Sequence, residues 1–383
     1  MSDLPWPQAW RIAYTAAEPL PPRRLPLAAA IGAVLAEPVV AGSPLPPFDT
    51  AAMDGYGVAG PGPWHVVGRR LAGAASPAAP GPGEAVEIAT GAPVPPEVEA
   101  VLPYEDAAES DGRLVGDVAP GRHIRRAGEE CVPGEELMRA GGSVTAAAAG
   151  LAAAVGRDDL LVHPPPVVTL LVSGDELLTE GLPRGGRVRD ALGPMLPALV
   201  AGCGGLAEPV RHLPDSTEAL AGAIAAARGD VVVTTGGSSV GRADHLPAVL
   251  AALGAKALVR GVACRPGHPQ LLARLPDGRW LVGLPGNPLA ALAGVVTLLV
   301  PLLARLGGRA MPRTTSAGIA GALNPSPTVT RLVPVAFDLT GMAMPLGHAG
   351  AAMLRGAAGA DALAVVPPGA GLVEVVEIVR LPA

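Results

Sequence analysis

Between residues 166 and 306 the apolar positions change rhythm several times. Short runs rich in β-branched residues (PVVTLLV, LAEPVRHL, DVVVTT, KALVRGVA) read as strands. Segments with apolar residues three and four apart (DALGPMLPALVAGCGG, DSTEALAGAIAAARG, ADHLPAVLAALG) read as helices. Asp215 is placed as the cap of the second helix, with Glu218 three residues on in capping-box spacing. QLLARLPDGRWLVGL reads as a hairpin about Asp277-Gly278, and a last helix opens at NPLAALAG. Strands alternating with helices predict a doubly wound, mostly parallel sheet.

The flanking segments have other patterns. Residues 8–40 look helical apart from the break at PLPPRRLP, and residues 134–162 look helical around VTAAAAGLAAAVG. Residues 44–132 hold short β-prone pieces (WHVVG, EAVEIAT, EAVLPYED, RLVGDV) between Gly/Pro clusters. Residues 310–383 return to β-prone pieces around LVPVAFDL and VEVVEIVRL. The expected organisation is multidomain α/β in four parts. Residues 1–43 and 133–164 form a discontinuous helical linker domain, interrupted by a β-rich inserted module at 44–132. An α/β domain follows at 165–309 and a small C-terminal β domain at 310–383.

Gly (51) and Pro (44) make up about a quarter of the 383 residues, close to the range of low-complexity chains. The 49% hydrophobic content falls in patterned blocks, so a folded chain is expected instead. A net charge of −6 without a Lys/Arg stripe argues against nucleic acid as a partner. Cys131, Cys203 and Cys264 are far apart and form no CxxC, as expected of a reducing, cytoplasmic setting. The opening MSDLPWPQAW lacks the pattern of a signal peptide. The longest apolar run, Leu289 to Ala304, is shorter than a bilayer span and carries Gly294, Thr297 and Pro301. It reads as a buried helix, and no membrane is expected.

In open α/β sheets ligands bind beyond the carboxyl ends of the strands. Three polar turns are expected there: SGDE after VVTLLV, TTGGSSVG after VVV, and LPGNP after WLVG. In the second, Gly236, Gly237 and Gly241 permit close backbone approach, while Thr235, Ser238 and Ser239 add hydroxyls. The helix after it begins near Asp244 and presents its positive end. A plain glycine turn with Asp244 as cap is the competing reading. In the third, Asn287 is a good N-cap and Pro288 a good first helical residue. In the first, adjacent Asp175 and Glu176 point different ways, so one caps or binds metal while the other faces a ligand. A solvated acidic turn is the alternative. With Asp215 and Asp244 the edge collects four carboxylates, the oxygen donors that Mg²⁺ takes.

In the β module, PPFDTAAMDGYGV interleaves Phe48, Met53 and Tyr56 with Asp49 and Asp54. Such a loop either folds inward or packs on another subunit. GRHIRRAGEE sets Arg125 and Arg126 beside Glu129 and Glu130, where a salt-bridged turn is expected.

LPPFDTAAMDGYGV, IATGAPVP, HIRRAGEE, SGDEL, VVVTTGGSSVGRADH, RPGHP and GLPGNP occur in the order found in molybdopterin molybdenumtransferases. From about residue 8 to the C-terminus the chain resembles this bacterial MoeA type, related to the gephyrin E domain. The resemblance implies that the α/β domain binds molybdopterin. It implies an elongated, four-part subunit and a homodimer whose active site is completed by the partner's β module. It also implies a reaction in which molybdate and adenylated molybdopterin react with Mg²⁺, AMP leaves and the metal enters the dithiolene. The family's functional acids fall on Asp54, Glu176, Asp215 and Asp244, and its polar module residues on Thr90 and Arg125. The prolines of the LPGNP loop are Pro285 and Pro288, flanking Gly286 and Asn287. Asp175, Glu176 and Asp244 would hold the metal, and the Gly236-Gly237 turn the pterin phosphate. The molybdopterin adenylyltransferase and apo-molybdoenzymes are the candidate protein partners.

The chain departs from the family at several places. K-P-G-K-P becomes Arg265-Pro266-Gly267-His268-Pro269; Arg keeps the charge, while His is only partly charged near neutral pH. A further family Lys is Gly261, and a Ser after LPGNP is Ala290. D-S/T-N-G is Asp190 to Gly193 (DALG), and GSG is Gly350-Ala351-Ala352. Fewer cations and hydroxyls should weaken oxyanion binding, at ~1.5–3 kcal/mol per charge-assisted hydrogen bond. An active insertase and a molybdopterin-binding carrier with poor metal insertion are therefore both open.

Overall fold

The β-branched runs of the α/β region lie together because their side chains need burial on both faces. In the computed structural model, which describes residues 3–73, 79–236, 245–369 and 371–382, they form one sheet. Its order is Leu206–Ala207, Val167–Ser173, Val231–Thr235, Trp280–Leu284, Leu271–Arg274 and Lys256–Arg260. Arg211–Leu213 also pairs with Val167–Ser173. The first four strands are parallel, and the hairpin at Asp277-Gly278 makes the remainder antiparallel. Val172 lies opposite Thr235, and Thr235 opposite Leu284, so three parallel strands end level.

Alternation along these strands builds two cores. Val168, Leu170, Val172, Val231, Val233, Val282 and Leu284 share a core with the helix Leu192–Gly202 and the long apolar helix that starts at Pro288. Leu171, Val232 and Leu281 pack with Leu220, Ile224, Leu246 and Leu250 from the helices Thr217–Ala226 and Leu246–Ala252. Each such buried side chain contributes ~1.5–3 kcal/mol, and a one-residue slip would exchange the two faces, so the register is fixed.

The helix Pro288–Leu306 has 19 residues, more than the apolar run read from the sequence, and by length and composition is enough to cross a membrane. Its apolar window is 89% buried within the protein, so it serves as a core helix. At its centre Val295–Leu299 widens into a π-helical stretch. There Thr297 donates to the Ala293 carbonyl (2.6 Å) and accepts from the Trp6 indole N–H (2.9 Å), tying the helix Trp6–Thr15 into the core.

Several expectations are corrected. KALVRGVA is not one strand: Gly261, at φ +76°, breaks it. Lys256–Arg260 edges the central sheet, while Val262–Arg265 pairs with Leu4–Pro5 and Thr330–Phe337 in another sheet. LAEPVRHL is likewise two short strands. Within residues 8–40 helix is confined to the Trp6–Thr15 segment and the turn Leu27–Ala30, because prolines at 19, 21, 22, 26 and 38 remove donors and fix φ. Within 134–162 only Ala146–Ala154 is helical, capped by Thr145, whose hydroxyl accepts from the Ala148 N–H. Ser216, not Asp215, caps Thr217–Ala226: its hydroxyl accepts from the Ala219 N–H at 3.2 Å.

The chain divides into two compact units, Met1–Arg23 with Gly32–Ala36 and Leu161–Ala383, and Arg24–Ile31 with Glu37–Leu160. The first also holds the C-terminal sheet. There Thr330–Phe337, Ala343–Pro345, Thr315–Leu323, Val373–Arg380 and Ala362–Val366 follow one another, and the last pairs back onto the first. The second unit is built on a four-stranded sheet, His65–Arg70, Glu84–Ile88, Gly55–Ala59 and Ala100–Pro103.

Candidate functional site

The described parts of the three polar turns lie together because their strands are neighbours that end level. The Ser173 hydroxyl donates to the Thr235 carbonyl (2.8 Å), and the Gly236 N–H donates to the Leu284 carbonyl (3.2 Å). Gly236 has φ +80°, which side chains rarely adopt, and lets the chain turn beside Ser173. Gly286 stands against it; a Cβ there would lie 3.7 Å from the Gly236 Cα. Thr235 is buried to 1% exposure, so its hydroxyl belongs to the core. Gly237, Ser238, Ser239 and Asp244 lie outside the described residues.

The first turn leans on the start of the Thr217–Ala226 helix. The Asp175 N–H donates to the Asp215 carboxylate and the Asp215 N–H to the Asp175 carboxylate, each at 3.3 Å. Glu176 is exposed in the same turn. Among the described residues no three acidic, His or Cys side chains form a metal-binding group; of the four expected carboxylates, Asp175 and Asp215 brace each other and Asp244 lies outside the described residues.

On the other side of the LPGNP turn lies a cavity of about 400 Å³. Pro285, Asn287 and Ala290 line it from the turn and the helix it opens; Arg265 and His268 from the RPGHP segment; Arg331 and Ala351 from the C-terminal part. Asn287 holds the cap position, but its side chain makes no capping bond. The Ala351 carbonyl instead accepts from the N–H groups of Leu289 (2.9 Å) and Ala290 (3.1 Å). The cavity has three potential cations, Arg265, His268 and Arg331, and no acidic residue among its lining. Arg331 also donates to the Asn324 carbonyl, which holds its guanidinium in place. His268 Nε2 bonds the Asp3 carboxylate at 2.8 Å. Burial pushes the Cys264 thiol up to about 12, so it stays protonated and donates to the Pro266 carbonyl.

In the β module Asp54 Oδ1 accepts from the Thr90 N–H (2.6 Å) and hydroxyl (2.9 Å). The Thr90 N–H, and then its hydroxyl, hold the Asp54 carboxyl below its usual range. Arg125 is exposed on the short strand Ile124–Arg125. The RRAGEE turn differs from expectation. The Arg126 guanidinium pairs with Asp49 (2.6 Å), and Glu129 accepts from the Arg126 backbone N–H (3.1 Å). Asp49 is held low by the Ala127 N–H and by Arg126. The loop divides its aromatics: Phe48 is 47% exposed, while Tyr56 packs edge-on against Tyr104.

Sequence reasoning missed Arg331, Asp3 and His212. His212 bonds the buried Asp190 (2.8 Å), whose carboxylate also accepts from the N–H groups of Leu192 and Gly193. Asp190 opens the segment read as this helix and stands two residues before the observed Leu192–Gly202, a recognisable cap signal. Arg331 and Asp3 had no local signal, because pairing between distant strands brings Arg331 to the cavity and Asp3 to His268 on its wall.

A mostly parallel sheet with backbone turns at its carboxyl edge and a cationic cavity beside them marks a multidomain protein built to hold an anionic ligand. Residues 4–156 match the family model of the MoeA N-terminal region (domain I and II). Residues 169–305 match that of a "Probable molybdopterin binding domain", and residues 317–380 that of the MoeA C-terminal region (domain IV). The chain belongs to the MoeA family of molybdopterin molybdenumtransferases. It is 34% identical over 312 residues to a molybdopterin molybdenumtransferase of Synechococcus elongatus, covering 76% of this chain and 77% of that protein. It is 36% identical over 340 residues to molybdopterin molybdenumtransferase 1 of Mycobacterium tuberculosis, covering 80% and 78%. The crystal structure of a molybdopterin biosynthesis MoeA protein from Pyrococcus horikosii superposes with a TM-score of 0.77 at 26% identity, over 100% of both chains.

Proposed function

We propose that the chain transfers molybdenum from molybdate into adenylated molybdopterin, releasing AMP and forming molybdenum cofactor. One observation carries this reading: the Pro285–Asn287 turn is shared by two anion-binding features. Its Gly286 faces the Gly236 turn, while Pro285 and Asn287 line the cavity of Arg265, His268 and Arg331. A phosphate at the backbone turns and an oxyanion in the cavity would thus be held on either side of one short rigid loop. Such proximity favours a transfer step.

The residues present supply most of what that step needs. The Gly236-Gly237 turn would take the pterin phosphate; the Gly236 N–H is already bonded to the Leu284 carbonyl, so the donors would come from Gly237, Ser238 and Ser239, next in sequence. Arg265, Arg331 and protonated His268 would neutralise molybdate. Asp175, Glu176 and Asp244 carry the hard oxygen donors that Mg²⁺ takes, and the Asp175–Asp215 brace sets the first of them at the sheet edge. Bound there, Mg²⁺ would offset charge developing on the phosphoanhydride. Asp54, ionised at neutral pH and oriented by Thr90, and Arg125 would act from the β module within a homodimer. A cytoplasmic location fits three free thiols. The carrier reading is less favoured, since the cavity keeps three cation positions and the relatives are named transferases.

The test is AMP release from adenylated molybdopterin by the purified protein. Release that requires both molybdate and Mg²⁺, and falls at least tenfold in Asp54→Asn, supports the proposal. Tight binding of the nucleotide without release under those conditions would replace it with the carrier.

A further inference from the structure

We infer that Asp3 is a built-in counter-anion of the oxyanion cavity and sets its affinity for molybdate. The inference rests on the proposed function of that cavity. The contact joins two of the chain's departures from its family. His268, which lines the cavity, bonds Asp3 Oδ2 through Nε2 at 2.8 Å. Asp3 is brought there by the strand Leu4–Pro5, which runs parallel to Val262–Arg265, and by the Leu4 N–H bond to the Gly261 carbonyl (3.3 Å). Gly261 makes the room. A Cβ at 261 would stand 2.7 Å from Asp3 Oδ1 and 3.6 Å from His268 Nε2. Any larger side chain there would displace the Asp3 carboxylate. Gly261 and His268 are therefore two halves of one arrangement in which an internal carboxylate enters where cations are expected.

The electrostatic consequence has one sign. With Asp3 ionised, the cavity mouth is one charge more negative than with a neutral residue there, whatever the state of His268. Asp3 also engages the ring nitrogen that would otherwise be free to meet an oxyanion. The Asp3 and His268 side chains are 45% and 51% exposed, so water screens the pair and an incoming anion can displace it. Asp3 tunes affinity and does not close the cavity.

Calorimetric titration of molybdate into the full chain, in low-salt buffer, tests this with Asp3→Asn and Arg265→Ala. Asp3→Asn is expected to tighten binding about two- to fivefold, the range of a partly exposed charge pair, and the gain should shrink in 0.5 M salt. In AMP release the same variant should lower the molybdate KM and leave kcat unchanged. Arg265→Ala should weaken binding. If Arg265→Ala weakens binding but Asp3→Asn leaves it unchanged or weaker, the counter-anion is refuted and the cavity stands. If Arg265→Ala has no effect on molybdate binding, the cavity assignment falls and the inference with it.

Discussion

Alanine at Gly286 separates the backbone cradle from the stability of the fold. Among the described residues its Cβ would have a single neighbour within 4 Å, the Gly236 Cα at 3.7 Å, an ordinary van der Waals contact. Gly286 is also absent from the positive-φ glycines, so alanine needs no unusual backbone. The fold should lose less than ~0.5 kcal/mol, as at other undemanding surface positions. On the proposed reading the methyl group would nevertheless stand against Gly236 and crowd a phosphate bound at that turn. Losing one charge-assisted hydrogen bond there costs ~1.5–3 kcal/mol, a ten- to hundredfold weaker Kd. Gly236→Ala is the contrasting variant. Its φ of +80°, with Ser173 Oγ and the Ser173 carbonyl 3.2 and 3.3 Å from the new Cβ, should cost about 1–3 kcal/mol of stability as well. Urea unfolding gives the first quantity and equilibrium binding of adenylated molybdopterin the second. A Gly286→Ala protein that unfolds at the wild-type midpoint and binds with the wild-type Kd would refute the cradle.

Two further outcomes follow from the hydrogen bonding. Thr297→Val leaves the buried Trp6 indole N–H without its acceptor and should cost about 1–3 kcal/mol in urea unfolding; the double variant with Trp6→Phe should cost less than the two single costs added together. Thr90→Val keeps the backbone N–H on Asp54 but removes the hydroxyl, so the Asp54 carboxyl should move up toward its usual range in an NMR titration. Because the native carboxyl is depressed, its contribution to stability is present above the unfolded-state pKa and lost as pH falls through the native one. Thr90→Val should therefore flatten the acid-side loss of stability, and an unmoved Asp54 titration would contradict this account.

What the sequence revealed depended on how local the cause was. The central strands were legible because a β-branched run buried on both faces has few alternatives, as Val231–Val233 shows. The hairpin was legible because Asp277-Gly278 names its own turn. The helical reading of residues 8–40 holds for Trp6–Thr15 and fails beyond the PLPPRRLP break, where helix is limited to the turn Leu27–Ala30 after Pro26 and before Pro38. The reading of 256–263 as one strand failed at Gly261, where a positive φ sends the chain from one sheet to another. Asp215 and Ser216 are both good cap residues, and the choice fell to Ser216 while Asp215 exchanged backbone bonds with Asp175. The motif residues of the cavity were visible in order. Arg331 and Asp3 were not, because strand pairing across more than sixty residues brings Arg331 there and Asp3 to His268 on its wall.

The cavity beside the LPGNP turn does not work as a helix N-terminus, although one opens into it. A free helix start offers N–H groups to an anion. Here the Leu289 and Ala290 N–H groups both end on the Ala351 carbonyl, within the segment that replaces the family's GSG. Asn287 makes no side-chain cap that could be exchanged for a ligand. On the proposed reading, holding an oxyanion would therefore fall to the side chains Arg265, Arg331 and His268, against the opposing charge of Asp3. Side-chain cations at an exposed mouth are screened within about 8 Å at physiological salt. In this chain oxyanion binding should consequently weaken as ionic strength rises, which molybdate titration at two salt concentrations would read.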